Sequence, residues 1–383
     1  MFKPQIQRIE VVVTLAIFSI VMVYFTLSNI TYVEKLGLKE KIKSTEIMEK
    51  ALSTLKKEVK GRYDSPILKD IDPNLTGLIF IRPQSPMITY SGDLRSKQTV
   101  LKPNFSALLV DLFMKAGLEV NDTIAVGMTG SMPGANIALY AACEAMGIIP
   151  AVITSVGASQ YGATDSNFTW LDMEKILYDN EIISNRSIGA SLGGRGDKYK
   201  EKDVNNIIYG GIKGAELASK AIFRNGIKEI KRVKERKEIF KEYIRDGLAR
   251  YSAYVNIGGG VSSMGVGGNK LLDGKAGIIT PNEVRKKSLD NCMARSFADV
   301  GVMLINIQNI PKLIITENGE QLIAYGGKKG KTGEGLLYYS ERYATWSTLI
   351  ALFLTLGLVV IIGINSLRQI NKHMYSYETE SIL

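Results

Sequence analysis

Two long uncharged apolar runs, one near each end of the chain, constrain this sequence more than any other feature. They occupy residues 11–28 and 346–364, and neither contains a charged side chain. As a helix, the first run would be about 27 Å long, close to the hydrocarbon thickness of a bilayer. We therefore predict two transmembrane helices, of which the first is a retained signal anchor and the second is followed by a short polar tail.

The sequence constrains the orientation of the chain in the membrane less strongly than it constrains the positions of the two spans. Two spans place both termini on one side and residues 31–343 on the other. The basic residues that flank the spans slightly favour a cytoplasmic domain, but long domains translocate largely regardless of charge. A short tail before the first span is the usual arrangement of a signal anchor, so we expect an extracytoplasmic domain.

The residues between the spans alternate between buried-strand and helix patterns. The predicted boundaries are a signal-anchor helix (1–30), an amphipathic stalk helix and linker (31–70), an α/β domain (71–343), a transmembrane helix (344–366) and a polar tail (367–383). Strands are predicted at 77–81, 123–127, 151–155, 253–260 and 300–308. Apolar strands alternating with helices are typical of a parallel sheet covered by helices. The predicted fold is a Rossmann-like α/β domain between two transmembrane helices, in which strands 123–127 and 151–155 are adjacent and parallel.

The composition excludes several kinds of catalytic and metal site. His373 is the single histidine and lies near the C-terminus, so the body of the chain has no imidazole for a Ser-His-Asp triad or a zinc site. Cys143 and Cys292 have neither metal nor disulfide spacing. We expect no metal, no cofactor and no nucleic-acid partner, although the formal net charge is +10. The stretch 212–250 is predicted to be long, helical and charged, and its basic residues at 224–250 form either a solvated helical face or a contact for a polyanion.

The segment "GMTGSMPGAN", residues 127–136, has the pattern of strand, glycine turn and helix. Gly127 and Gly130 would permit tight or positive-φ turns. Backbone amides at the start of the helix, with the Thr129 and Ser131 hydroxyls, would form an anion site. The predicted ligand-binding residues in this loop are Thr129, Gly130, Ser131 and Asn136. The alternative is a turn whose glycines serve packing alone.

Two further glycine- and serine-rich loops follow predicted strands. They cover 155–166 and 256–265, and ligands of open α/β sheets bind at the carboxyl ends of the strands. The candidate binding residues in these loops are Ser155, Ser159, Gly258, Gly259 and Gly260.

Three other motifs were weighed as possible sites. Thr169 and Asp172 fit a helix capping box, which favours a structural role for Asp172 and Glu174. The segment 190–197 is predicted to be a flexible loop that exposes Arg195 and Asp197. The run "GGKKGKTGEG" departs from a phosphate-binding P-loop because Tyr325 stands at its first glycine position, so ATP hydrolysis is not predicted.

Seven short segments of the sequence resemble the poly-γ-glutamate system protein family of bacterial membrane proteins. They are "DPNLTGLI", "KPNFSALLV", "GMTGSMPGAN", "TSVGAS", "FTWLDMEK", "ASLGG" and "NIGGG", in that order over residues 70–315. The resemblance implies a role in the bacterial cell membrane beside the polyglutamate synthase and its export partners. It implies no catalytic residues.

Three functional hypotheses follow. The leading one is an accessory protein of poly-γ-glutamate synthesis or export that binds a carboxylate-bearing ligand through the three loops. The second is a hydrolase or transferase that acts on the polymer or on a phosphorylated or sugar substrate, with Ser131 or Asp172 as chemical residues. The third is a non-catalytic scaffold for the synthase complex.

Overall fold

A computed structural model describes residues 4–63, 67–82, 84–194, 197, 199, 202–204, 207–245 and 247–380. The chain divides into two compact units, one formed by Met1–Glu34 with Tyr339–Leu383 and the other by Lys35–Tyr338. The first unit contains the two predicted spans, and the second contains the α/β domain.

The secondary structure of the described residues comprises helices, strands and short 3-10 turns. The helices are α1 (Ile9–Ser28), α2 (Leu38–Arg62), α3 (Leu94–Val100), α4 (Asn104–Lys115), α5 (Pro133–Met146), α6 (Trp170–Asp179), α7 (Ile212–Arg224), α8 (Val233–Tyr243), α9 (Val261–Met264), α10 (Gly268–Leu271), α11 (Pro281–Arg285), α12 (Met293–Asp299), α13 (Ile310–Leu313) and α14 (Thr345–Glu380). The strands are β1 (Ile30–Glu34), β2 (Ile88–Tyr90), β3 (Thr123–Thr129), β4 (Ile149–Ser155), β5 (Ala158–Ser159), β6 (Ser187–Ser191), β7 (Lys202–Val204), β8 (Ile207–Tyr209), β9 (Glu229–Ile230), β10 (Ala253–Ile257), β11 (Gly277–Ile279), β12 (Met303–Ile307) and β13 (Tyr339–Tyr343).

The unit that contains both termini is an antiparallel pair of long helices. The Ile6 amide donates to the Ser366 hydroxyl near one end, and the Phe25 and Trp346 rings meet edge to face at 5.9 Å near the other. Strands β1 and β13 pair antiparallel beside the second end. Helix α1 and the Thr345–Tyr375 part of α14 are long and apolar enough to cross a membrane. Helix α14 continues to Glu380, beyond the predicted end of the span at residue 364.

The α/β unit is built on a seven-stranded sheet with the order β11-β12-β10-β3-β4-β6-β9. All neighbours are parallel except β11, which is antiparallel to β12. The predicted adjacency of residues 123–127 and 151–155 is confirmed, because β3 and β4 pair in parallel from Thr123 to Thr129. Strands β4, β6 and β9 extend the sheet on one side of β3, while β10 and β12 extend it on the other. The order therefore reverses between β3 and β10.

Apolar side chains of the helices and strands form hydrophobic clusters between the helices and the sheet. Phe240 of α8 and Phe297 of α12 pack with Tyr254 of β10 in one hydrophobic core, where the rings of Phe297 and Tyr254 stack at 4.7 Å. Helices α2, α4 and α5 pack together, and alanines give α5 a small cross-section that is buried along almost its whole length. Burial of these aromatic and aliphatic side chains supplies the main stabilising term for the unit.

The structure differs from the sequence predictions in three segments. The predicted stalk is α2, which starts at Leu38 and belongs to the α/β unit, because its apolar stripe, including Met48 and Leu55, is buried. Residues 77–81 form no regular strand; Phe80 makes one isolated bridge with Tyr161. The charged helical stretch at 212–250 is two helices separated by the edge strand β9.

Candidate functional site

Three glycine- and serine-rich loops meet where the strand order reverses. They follow β3, β4 and β10, and Thr129 at the end of β3 lies among them. A Cβ atom on Gly258 would lie 2.4 Å from Thr129 Oγ1, and one on Gly260 would lie 3.6 Å from Thr129 Cγ2. On the other side, the Ala163 amide donates to the Gly130 carbonyl at 2.8 Å. The loops therefore form one connected surface at the carboxyl edge of the sheet, where α/β proteins bind ligands.

The glycines of the first loop are required by close packing. The predicted positive φ is wrong for Gly127 and Gly130, because neither is among the residues with a positive φ. Gly127 lies inside β3, whereas Gly130 lies in a turn. A Cβ atom on Gly130 would lie 2.5 Å from the Val156 carbonyl oxygen, and one on Gly127 would lie 2.4 Å from the Tyr254 hydroxyl. Positive φ is instead found at Gly258, at +91°. Only a glycine fits these contacts without displacing a neighbour.

Thr129 and Asn136 stabilise the first loop from inside. Thr129 Oγ1 accepts from the Ser131 amide at 3.3 Å, and Asn136 Nδ2 donates to the Thr129 carbonyl at 2.9 Å. Thr129 is 6% exposed and Asn136 is 0% exposed. These two predicted ligand-binding residues therefore hold the loop in shape and do not present their side chains to solvent. Gly259, by contrast, is exposed at the rim.

Ser131 and Ser159 are the two predicted residues that the structure brings together at a partly exposed position. The Ser159 amide donates to the Ser131 hydroxyl at 3.0 Å. Beneath them lies Lys97 of α3, whose Nζ donates to the Ser159 hydroxyl at 2.7 Å and to the Ser131 carbonyl. The Lys97 side chain is 3% exposed, whereas both serines reach the surface in part. A buried amine thus contacts the hydroxyl of a partly exposed residue.

The Lys97 amine has an unusual protonation equilibrium for a lysine. Burial lowers its pKa from 10.5 to about 7, and the Asp93 carboxylate opposes this shift weakly. Desolvation penalises the charged ammonium, because the low-dielectric interior solvates a charge poorly. At neutral pH the amine is therefore present in both the neutral and the charged form. The neutral form can accept a proton, and the charged form can bind an anion.

Helix α3, which carries Lys97, begins at a local cap and is held in place by a distant loop. Asp93 caps α3 by accepting from the Ser96 amide at 2.8 Å, which starts the helix at Leu94. The helix is covered by the loop at 324–327: the Gly326 amide donates to Thr99 Oγ1 at 2.8 Å, and Lys102 donates to the Ala324 carbonyl at 2.7 Å. The start of the glycine-rich run therefore packs against α3.

Lys102 offers a useful contrast to Lys97. It is 1% exposed, and burial lowers its pKa to about 8. Its amine donates to two backbone carbonyls, those of Ala324 and Gly326. No hydroxyl group is among the contacts described for this amine. Lys102 therefore anchors the loop at 324–327 and has no hydroxyl group that it could activate.

A second buried cluster lies at the same edge of the sheet and contains Ser155. Arg236 of α8 and Asp197 form an ion pair at 3.0 Å, and the two side chains are 2% and 4% exposed. Ser155 Oγ accepts from Arg236 at 2.9 Å. The hydroxyls of Ser191 and Ser262 donate to the Asp197 carboxylate. The prediction that Asp197 is exposed is wrong, because it is the counter-ion of a buried arginine. Arg195 lies outside the described residues.

The two carboxylates of α6 have structural partners. The predicted capping box of Thr169 and Asp172 is confirmed, and Asp172 also pairs with Arg224. The bonds to Arg224 help keep the pKa of Asp172 low although burial raises it. Burial raises the pKa of Glu174, which accepts from the Tyr140 hydroxyl at 2.6 Å. These contacts favour a structural role over the chemical role considered for Asp172.

A polar cavity of about 370 Å³ opens farther along the loop that contains Ser159. Arg82 lies at its rim and pairs with the buried Asp165 at 2.8 Å. Thr164 lines the cavity, and among the described residues its buried hydroxyl has no hydrogen-bond partner. The cavity lining does not include Ser131 or Ser159.

Comparison with known proteins adds no relative: no family model, curated protein or solved structure matches this chain. The arguments for function therefore come from the residues themselves. Sequence patterns predicted Ser131 and Ser159 but missed Lys97 and Arg236, because lysine and arginine in polar helical segments normally indicate a solvated face.

Proposed function

We propose that this protein is a membrane-anchored accessory protein of poly-γ-glutamate synthesis or export, whose Rossmann-like domain binds a carboxylate-bearing ligand at the carboxyl edge of its sheet. The motif resemblance supports the choice of polymer. The observation that carries the binding proposal is the Lys97 amine beneath the partly exposed hydroxyls of Ser131 and Ser159. Hydroxyl donors above a buried cation form a chemically suitable site for a carboxylate.

Binding of such an anion depends on the charge of Lys97. A carboxylate is attracted to the ammonium form, and the Lys97 pKa is about 7. Affinity should therefore fall as the pH rises through this range. An anion bound beside the amine would itself raise the pKa, since an opposite charge favours the charged form.

Calorimetric titration of the full chain in detergent with short γ-linked glutamate oligomers tests this proposal. We expect tighter binding at pH 6 than at pH 8.5, and no binding of γ-linked isoglutamine oligomers, in which every free carboxylate is replaced by a carboxamide. Ser131→Ala should weaken binding about ten- to hundredfold, since a hydrogen bond to a charged group is worth about 1.5–3 kcal/mol. Lys102→Met serves as the matched control and should bind like the unaltered chain. Equal binding of the glutamate and isoglutamine oligomers would exclude carboxylate recognition.

We further propose that the α/β unit is extracytoplasmic in a bacterial cell membrane. The supporting observation is the pair of membrane-length helices on either side of this unit in the sequence, since long domains translocate largely regardless of flanking charge. Cys143 and Cys292 are both buried, so a single engineered cysteine gives a low-background probe. Lys175→Cys, at an exposed position of α6, should react with a membrane-impermeant maleimide on intact cells. Reaction only after lysis would show the opposite orientation.

A further inference from the structure

The contact between Lys97 and Ser159 has the features of a catalytic pair. The amine and the hydroxyl are 2.7 Å apart, within the range for direct proton transfer. Burial shields the amine from water, while Ser159 reaches the surface. The Ser131 carbonyl accepts one amine hydrogen, which orients the nitrogen and leaves its lone pair for the Ser159 proton. A serine activated by an adjacent lysine is an established alternative to the histidine-based triad.

We propose that Ser159 and Lys97 form a serine–lysine dyad that cleaves an amide or ester bond, with Ser159 as nucleophile and Lys97 as general base. This function goes beyond ligand binding and uses no histidine, which suits a chain whose only histidine is His373. The amide bonds of a glutamate polymer are the substrate class that fits both proposals. That choice of substrate rests on the proposed function, whereas the dyad itself does not.

The reaction balances with water as the only co-reactant. Neutral Lys97 removes the hydroxyl proton of Ser159 as Oγ bonds to the carbonyl carbon, and the carbonyl electron pair moves to oxygen. Collapse of this intermediate breaks the carbon–nitrogen bond, and the Lys97 ammonium gives its proton to the departing amine. Water then attacks the acyl-serine, again losing a proton to Lys97. That proton returns to Ser159 Oγ as the carboxylic acid leaves.

Ser131 is placed to stabilise the negative charge that develops on the carbonyl oxygen. Its hydroxyl accepts from the Ser159 amide, which leaves its own proton free for donation to the substrate. Preorganised donors of this kind contribute strongly in a site from which water is excluded. Ser131 is thus an oxyanion donor rather than the nucleophile.

Labelling of the full chain with a fluorophosphonate, a reagent that traps activated serines, tests the dyad. We expect an adduct on Ser159 by mass spectrometry, and a labelling rate that rises with pH through about 7 as Lys97 loses its proton. Loss of a general base typically costs about 10²–10⁴ in rate, so Lys97→Met should label at least a hundredfold more slowly. Ser159→Ala should remove the adduct, and Lys102→Met should label like the unaltered chain.

The pH profile needs no variant and keeps the test decisive if Lys97→Met fails to fold. A labelling rate that is constant from pH 6 to pH 8, or an adduct only on other serines, would overturn the dyad. The reagent requires no polymer, so the outcomes of the two proposals are separable. Binding of glutamate oligomers without labelling would retain the binding function and remove the dyad, and labelling without such binding would do the reverse.

Discussion

The sheet edge carries two buried cations whose surroundings differ in one decisive respect. Arg236 has a buried carboxylate, Asp197, at 3.0 Å and is further bonded to the hydroxyls of Ser155 and Ser191. Lys97 has a hydroxyl and a carbonyl as its contacts, and the carboxylate that influences it, Asp93, only weakly offsets the effect of burial. A paired buried cation fixes structure, whereas an unpaired one remains free to exchange its proton or to accept an anion.

The largest expected effect is on stability when the paired cation is removed. Arg236→Met would leave Asp197 buried without a counter-ion, which typically costs about 3–5 kcal/mol. Denaturant unfolding of the full chain in detergent would measure the loss. Arg224→Met is the matched control, because the Arg224–Asp172 pair is more exposed and should cost roughly 1 kcal/mol. Equal losses in the two variants would contradict the structural role assigned to Arg236.

The next effect concerns the backbone that joins the two clusters. The Gly130 amide donates to the Ser155 carbonyl at 2.9 Å, and Gly130 precedes Ser131 directly. Gly130→Val should destabilise the unit by about 1–3 kcal/mol, because its Cβ would lie 2.5 Å from the Val156 carbonyl oxygen. Gly61→Val is the control, since a Cβ there meets no atom within 4 Å. If both glycines tolerate valine equally in unfolding experiments, the close packing described at Gly130 is wrong.

Sequence patterns predict some of these structural features and miss others. The strands at 123–129 and 149–155 were predictable because apolar runs beside turns are typical of buried parallel strands. The edge strand Glu229–Ile230 was not, since two residues cannot establish a period. Ser131 and Ser159 were predictable from their positions after strands. Lys97 was not, because its burial depends on contacts with the distant residues Ser131 and Ser159 and on no local pattern.

A smaller effect is expected on the pH dependence of stability, to which Lys97 contributes and Arg236 does not. The folded pKa of Lys97, about 7, lies below the unfolded value of 10.5, so the unfolded chain binds more protons between these values. The free energy of unfolding therefore rises with pH in this window, by about 1 kcal/mol from pH 7 to pH 8. Lys97→Met should remove this contribution and leave a smaller one from Lys102, whose pKa of about 8 also lies below its unfolded value, while Arg236→Met should leave both unchanged. An increment in Lys97→Met as large as that of the unaltered chain would mean that another group is responsible.

The smallest effect is expected at Ser131. Ser131→Ala removes the acceptor of the Ser159 amide and should cost about 0.5–1.5 kcal/mol of stability. Fluorophosphonate labelling of the same variant should fall by a larger factor, on the order of tenfold or more, because an oxyanion donor is lost as well. Thermal unfolding and labelling measured on one preparation compare the two effects. A labelling rate equal to that of the unaltered chain would remove Ser131 from the proposed oxyanion site.

Titration of Lys97 itself most directly tests the central claim that this buried amine has no ion-pair partner among the described residues. NMR of the full chain labelled with [¹³Cε]lysine reports the pKa of each amine. The account predicts one lysine signal that titrates near 7 and disappears in Lys97→Met, and a second near 8 that disappears in Lys102→Met. A signal that is lost in Lys97→Met but titrates above 9 would contradict the account.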